Sequence, residues 1–398
     1  MPRLLVGICA MIYLLDGLIH SILGPLAPDM ASSLGLTNAQ LGPIFSANLA
    51  GQCIGLVLLP LLAHRMGQRL VVLLSLTGFG LAQAGTALAD AATSLVVWRL
   101  VTGFFLGGCL PSCLAMVTAA APAARRGVAI MILFMGYGLG ATLAGVVATG
   151  FANHGGWRAA MVGVGLVCLL TAAISWWLLE EVRTESGPAA GDATPGVRPL
   201  DILSRGYFIG TLMLWLLFIF MLTISYCLNS WLPTLLVEVG RDQQFAALSV
   251  TIFSFGGIVA ALGVGMLIDR LGAARTLITF LAISAVLLYA IGQTLATAST
   301  GLLIVLLAAC GFFVLGAYGG INVVLASYYP APLRATGIGW SKSIGRFGTL
   351  LAPVLIGVAL GAGMAETTIM SLFAIPAVLA VLSLIVIGRS NPSRTTEH

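Results

Sequence analysis

Twelve apolar stretches of about 20 residues, parted by short polar breaks, take up almost all of this 398-residue chain. A helix needs about that length to cross a hydrocarbon core of about 30 Å, since each residue advances it by about 1.5 Å. Breaks at charge, proline and glycine clusters place the spans at 4–26, 40–63, 70–89, 94–118, 127–151, 158–179, 207–235, 246–268, 276–295, 300–327, 336–360 and 367–388. Backbone polar groups in lipid must be satisfied within each segment, so the fold class is all-α and membrane-embedded. Composition agrees: 8% of residues are charged and 59% apolar, whereas soluble domains carry about 25% charge.

Other architectures are excluded in turn. The 49 glycines follow no three-residue period, so they fit close helix packing in lipid rather than collagen. The net charge of +5 is scattered in short clusters rather than spread over a continuous basic face, which excludes a nucleic-acid surface. All seven cysteines fall inside apolar runs, and no metal site or disulfide framework is expected. Cys109 and Cys113 share a helix face as packing residues. The N-terminal run resembles a signal peptide, but Asp16 interrupts it and no small-residue cleavage site is clear. It is read as the first, uncleaved span.

The long polar segment 180–206 divides the spans six and six and reads as a cytoplasmic linker. It separates an N-terminal bundle, 1–179, from a C-terminal bundle, 207–398. The excess of arginine on one set of loops then sets orientation. Thirteen basic residues (Arg3, Arg65, Arg69, Arg125, Arg126, Arg183, Arg198, Arg205, Arg270, Arg275, Arg334, Arg389 and Arg394) share the side of the termini, against Arg158 and Arg241 on the other. Both termini are therefore expected in the cytoplasm.

The halves also resemble each other. Gly103-Phe104-Phe105 matches Gly311-Phe312-Phe313, Ala121-Pro122 with Gly127 matches Ala331-Pro332 with Gly337, and His64-Arg65-Met66-Gly67 matches Asp269-Arg270-Leu271-Gly272. These matches occur in order at nearly one offset, as a duplicated six-helix unit requires. Two pseudo-symmetric bundles imply a binding site near the midplane and alternating access by rocking.

Three basic side chains remain inside spans, Arg99, Lys342 and Arg346, with one clear acid, Asp16. Ionisable groups in a membrane cost several kcal/mol unless paired or hydrated, so they mark candidate function. Asp16 lies roughly 18 Å into its span, near mid-depth, where burial and a nearby cation pull its proton affinity in opposite directions. It is the candidate proton carrier, with His20 one turn away as a second proton carrier or a packing histidine. Arg346, also near mid-depth, offers a planar fork for a carboxylate. Lys342 lies one turn nearer the cytoplasm and either joins it or snorkels. Arg99 either belongs to the site or anchors helix packing. Tyr13, Gln52, Tyr137, Tyr226, Asn229, Trp231, Tyr318, Asn322 and Trp340 are further candidate cavity residues, each also able to serve as packing or helix–helix glue.

These residues sit in strings that resemble the major facilitator superfamily, and within it the aromatic acid:proton symporters. The superfamily loop motif Gly-x-x-x-Asp-Arg-x-Gly stands intact at Gly265–Gly272 and altered at Pro60–Gly67, and Arg99, Gly103, Gly107 and Gly108 follow its span-4 pattern. The narrower resemblance rests on Asp16-Gly17, Leu41-Gly42-Pro43-Ile44-Phe45-Ser46 and Ser230-Trp231-Leu232-Pro233-Thr234-Leu235-Leu236. It also rests on Tyr328-Tyr329-Pro330, Arg334-Ala335-Thr336-Gly337-Ile338-Gly339-Trp340 and Gly345-Arg346-Phe347-Gly348. The resemblance implies roles for Asp16, Arg99, Arg334 and Arg346, and a gating role for His64, Arg65, Asp269 and Arg270. It also departs from the family at Ile19, His64 and Ala119, where acids are common.

The expected function is a proton-coupled importer of an aromatic carboxylic acid such as a benzoate or hydroxybenzoate, in a bacterial inner membrane, acting as a monomer without cofactor. An exporter of drugs or other organic metabolites is the alternative; buried cations disfavour it, because such exporters often bind apolar cations. No nucleophile–base pair, metal cluster or phosphate loop is present in the sequence, so the chain is not expected to be an enzyme.

Overall fold

The computed structural model describes residues 2–122, 125–179, 199–204 and 206–389. Its helices are α1 (Pro2–Ser21), α2 (Leu23–Leu34), α3 (Asn38–Met66), α4 (Gln68–Gly85), α5 (Ala92–Ala120), α6 (Arg126–Ala152) and α7 (Gly156–Leu178). There follow α8 (Phe208–Glu238), α9 (Gln243–Leu271), α10 (Ala273–Thr294), α11 (Thr300–Tyr328), α12 (Ala331–Gly361), α13 (Glu366–Leu372) and α14 (Ala374–Arg389). Among the described residues twelve helical stretches are long and apolar enough to cross a membrane, and each falls on an expected span. Most of the expected linker, including Arg183, Arg198 and Arg205, lies outside the described residues, as do Arg394 and the side chains of Arg3 and His64.

Two spans are broken where a single helix was expected. The first runs as α1, a break at Ile22, then α2. Pro25 has no N–H to donate to the Ser21 carbonyl, which removes the bond that would carry α1 onward. The last span breaks at Phe373 for the same reason, since Pro376 cannot bond the Leu372 carbonyl.

The chain forms two compact units. The first joins residues 1–185 with 229–251 and 353–363; the second joins 186–228 with 252–352 and 364–398. Within the first, α3 and α5 meet through glycine. A Cβ on Gly51 or Gly55 would collide with the backbone of Leu100 or Phe104, and one on Gly103 with the Asn48 carbonyl. Small residues let backbones approach this closely, and in lipid such packing replaces the missing hydrophobic drive. Gly17 on the Tyr137 carbonyl and Gly140 on the Leu14 carbonyl clamp α1 to α6 in the same way.

Three further contacts draw segments of α8, α9 and α12 into this first unit, all at the end away from the N-terminus. Gly24 packs on the Asn229 carbonyl, Gly42 on the Pro353 carbonyl and Gly145 on the Ala247 carbonyl. Thr251 Oγ1 also donates to the Thr142 carbonyl at 2.7 Å.

The second unit repeats the geometry of the first. Gly311 packs on the Phe253 carbonyl, the counterpart of Gly103 on Asn48. Gly67 (φ 85°, ψ 156°) and Gly272 (φ 84°, ψ 148°), the last residues of the matched loop motifs, share one left-handed conformation. Only glycine adopts it without a steric cost, so the duplication reaches the backbone angles. A phenylalanine cluster, Phe280 with Phe312 and Phe313 at centroid distances of 5.6 and 5.0 Å, ties α10 to α11.

Candidate functional site

In the first unit the packing of Gly17 on α6 sets the first candidate cluster. Tyr13 and Tyr137 meet with ring centroids 5.2 Å apart, and the His20 ring lies 6.1 Å from Tyr137. Asp16, one turn from both Tyr13 and His20, is 1% exposed. Cys109 and Cys113 of α5 lie near it. Both thiols are fully buried, as is Cys9 on α1, in keeping with packing residues. No group of three or more His, Cys, Asp or Glu is arranged to hold a metal ion among the described residues. Gln52 is half-buried on α3.

Arg99 is fully buried. Its Nη1 donates to Gln83 Oε1 at 2.8 Å and its Nη2 to the Ile19 carbonyl at 3.2 Å. Gln83 Nε2 in turn donates to the Met161 sulfur at 2.9 Å. The guanidinium therefore fixes the last turn of α1, one turn beyond Asp16, to α4 and α5. Gln83 was not among the expected residues. Its signal was present: it is a lone amide in the apolar run of α4, and buried amides demand partners.

The second cluster lies in the second unit. Arg346 and Lys342 stand four residues apart on α12, hence on one face. Tyr318 of α11 is close enough to Arg346 and to Tyr226 of α8 for both to act on its phenol. Asn322, one turn from Tyr318, spends its amide on the Tyr318 and Gly319 carbonyls of its own helix at 3.2 Å.

Other candidates stand apart from both clusters. Trp231 is fully buried with its ring edge against Phe45 at 5.1 Å, and Asn229 supports Gly24 through its backbone. Trp340 is 44% exposed and stacks on Trp215 at 6.0 Å. Arg65, Asp269, Arg270 and Arg334 are exposed near the helix ends that carry the loop motifs.

A separate polar cavity of about 270 Å³ in the first unit is lined by Asp29, Thr149, Asn153, Asp242 and Gln244, among others. Its two carboxylates cap helices. Asp29 accepts the Trp157 N–H at 2.8 Å, and Asp242 accepts the Gln244 and Phe245 N–H groups at 3.0 and 3.1 Å.

Comparison with known proteins agrees with this architecture. The profile of the Major Facilitator Superfamily matches residues 9–242 and 214–397. A gallate transporter of Pseudomonas putida is 31% identical, with 97% of this chain and 92% of that protein covered. A 3-(3-hydroxy-phenyl)propionate transporter of Escherichia coli is also 31% identical, over 98% of this chain and 95% of its own. The 4-hydroxybenzoate transporter PcaK of Acinetobacter baylyi is 30% identical, over 95% and 89%. Among solved structures a D-xylose-proton symporter superposes with a TM-score of 0.80 at 15% identity, covering 97% of each chain. That last likeness is one of fold. Twelve spans, a duplicated six-helix unit and full-length relatives give one conclusion: the chain belongs to the Major Facilitator Superfamily and is a multi-pass membrane transporter, not an enzyme.

Proposed function

We propose that this transporter imports an aromatic carboxylic acid with protons, by alternating access, across a bacterial inner membrane with both termini in the cytoplasm. The observation that carries the reading is Arg346: a fixed cation on a membrane-crossing helix, close to the Tyr318 phenol, which is in turn close to Tyr226. A guanidinium fork holds a carboxylate at two points, and phenols supply hydrogen bonds and ring contacts. The relatives named for gallate, 4-hydroxybenzoate and hydroxyphenylpropionate support that substrate class.

Energetics call for the proton. An aromatic carboxylate is an anion at neutral pH, and moving one negative charge inward against 100 mV costs about 2.3 kcal/mol. One accompanying proton cancels that cost, and a second makes the step electrically favourable. Asp16, buried beside Tyr13 and His20, is the group of the right type at the right depth. Arg99 acts as a positioning residue that holds the end of α1. The loop residues His64, Arg65, Asp269, Arg270 and Arg334 act in gating, the chain acts as a monomer, and residues 1–179 and 207–398 form its two moving halves.

Uptake of labelled 4-hydroxybenzoate into proteoliposomes under an imposed inward proton gradient tests the reading. Accumulation is expected to follow the gradient, to be lost in Asp16→Asn while substrate exchange persists, and to lose affinity in Arg346→Ala. Uptake indifferent to the gradient, or unchanged in Asp16→Asn, removes the proton-coupling role. Full affinity in Arg346→Ala removes the carboxylate anchor.

A further inference from the structure

Asn322 stands four residues after Tyr318 on α11, hence on the same face, within the stretch apolar enough to cross a membrane. An amide at such a place commonly glues two helices together. This one is used otherwise: its Nδ2 donates to the Tyr318 and Gly319 carbonyls of its own helix, both at 3.2 Å, and among the described residues it bonds no other helix. Those two neighbours decide how the amide is turned. A carbonyl oxygen only accepts, so the nitrogen must face both of them and Oδ1 must face away. The face that carries it is open. Ala317, Ile321 and Leu325 are fully buried on the packed side of α11, whereas Tyr318 and Asn322 are half-buried and Gly319 beside them has nothing within 4 Å of where a Cβ would stand. Arg346 of α12 and Tyr226 of α8 both stand near the Tyr318 phenol, which makes this opening part of the polar candidate site.

We infer that Asn322 sets specificity for a ring hydroxyl: with the carboxylate at Arg346 and the ring beside Tyr318, Asn322 Oδ1 accepts the hydrogen bond of a phenolic O–H at the far end of the substrate. The step from Tyr318 to Asn322 along the axis is about 6 Å, the scale of one aromatic ring. The amide cannot turn round without setting its oxygen against two carbonyl oxygens, so it offers this end of the site an acceptor and no donor. A hydroxyl, which donates, is favoured there. A methyl ether in the same position only accepts and is not. The inference rests on the reading of Arg346 as the carboxylate anchor and adds the sense of the hydrogen bond at the opposite end of the ring.

The test compares benzoate with 3- and 4-hydroxybenzoate and with their methyl ethers, as ligands of the purified full-length protein in proteoliposomes. Binding is read by competition and by thermal stabilisation, for wild type and Asn322→Leu. Wild type is expected to bind the better hydroxybenzoate about three- to tenfold more tightly than benzoate, the worth of one neutral hydrogen bond, and its ether no more tightly than benzoate. The hydroxybenzoate-to-benzoate ratio should fall towards one in Asn322→Leu. If the ether binds as well as the phenol, or the preference survives unchanged in Asn322→Leu, the inference is overturned. The ether comparison is made on the wild type and decides the matter even where the variant does not fold. If benzoate binds and a hydroxyl adds nothing, the inference fails while the aromatic-acid reading stands. If none of the acids binds, the aromatic-acid reading fails and takes this inference with it.

Discussion

The three glycine contacts that draw α8, α9 and α12 into the first unit make the structure sensitive to a single methyl group. A Cβ on Gly42 would stand 2.7 Å from the Pro353 carbonyl oxygen and 2.8 Å from the Val354 Cα. Comfortable contact needs about 3.5 Å or more, so α3 and α12 must part by close to 1 Å. Both atoms are backbone and cannot rotate away as a side chain would. Overpacking of this kind costs about 1–3 kcal/mol. Under the proposed alternating-access reading, that cost falls only on the arrangement in which these helices touch. Gly42→Ala should therefore shift the balance against the present arrangement by roughly 5- to 150-fold.

A reporter is available one turn deeper. Ser46 is buried at 9% exposure, and Ser46→Cys keeps its size and shape. Its labelling rate by a membrane-impermeant maleimide, added on the side away from the N-terminus, should rise with Gly42→Ala by the same factor. Gly55→Ala is the control. Its Cβ collides with Phe104, a contact between α3 and α5, so it should lower thermal stability without raising the labelling rate. A folded Gly42→Ala protein whose Ser46→Cys label is no faster than in the parent refutes the reasoning.

Three further outcomes follow from individual contacts. Gln83→Leu removes an acceptor from the buried Arg99 guanidinium, which costs about 1.5–3 kcal/mol for a bond to a charged group and should lower the melting temperature in detergent. Gly67→Ala and Gly272→Ala each force on a residue with a Cβ a positive-φ, extended-ψ backbone that is essentially glycine's alone, at about 1–3 kcal/mol; the duplication requires the two melting shifts to be alike. Tyr329→Phe loses the 2.9 Å bond to Thr211 and should cost about 1 kcal/mol, whereas Gly337→Ala, whose Cβ would collide with the Tyr329 ring, should cost more in the same melting assay.

Much of the fold was legible because lipid leaves few choices: once the apolar runs are counted, helices across the bilayer follow. The duplication was legible through residues whose conformation is special, since Gly67 and Gly272 had to recur if the loop was copied. The breaks at Ile22 and Phe373 were legible in principle, because Pro25 and Pro376 each remove one helical donor. The partners of each glycine were not legible, because a glycine marks a close approach without naming the backbone that approaches. Trp231 and Trp340 make the same point for aromatics. Both sit on crossing helices in family-like strings, yet one is sealed against Phe45 and the other faces outward on Trp215. What separates them is the angle each takes on its own helix relative to its neighbours, a property of packing.

The same distinction sorts the cations on crossing helices. Arg99 and Arg346 are chemically identical, and both lie within crossing helices. Arg99 is fully enclosed, with two of its nitrogens committed to Gln83 and the Ile19 carbonyl. A buried cation so held is costly to move, which suits a residue that fixes where α1 ends and where Asp16 points. Arg346 is only part-buried, one turn from the exposed Lys342 on α12. A part-exposed guanidinium can be approached by an incoming anion, as an enclosed one cannot. Substitution at the two sites should then separate by assay: loss of Arg99 should appear first as lost thermal stability, and loss of Arg346 first as lost substrate affinity in a protein that still folds.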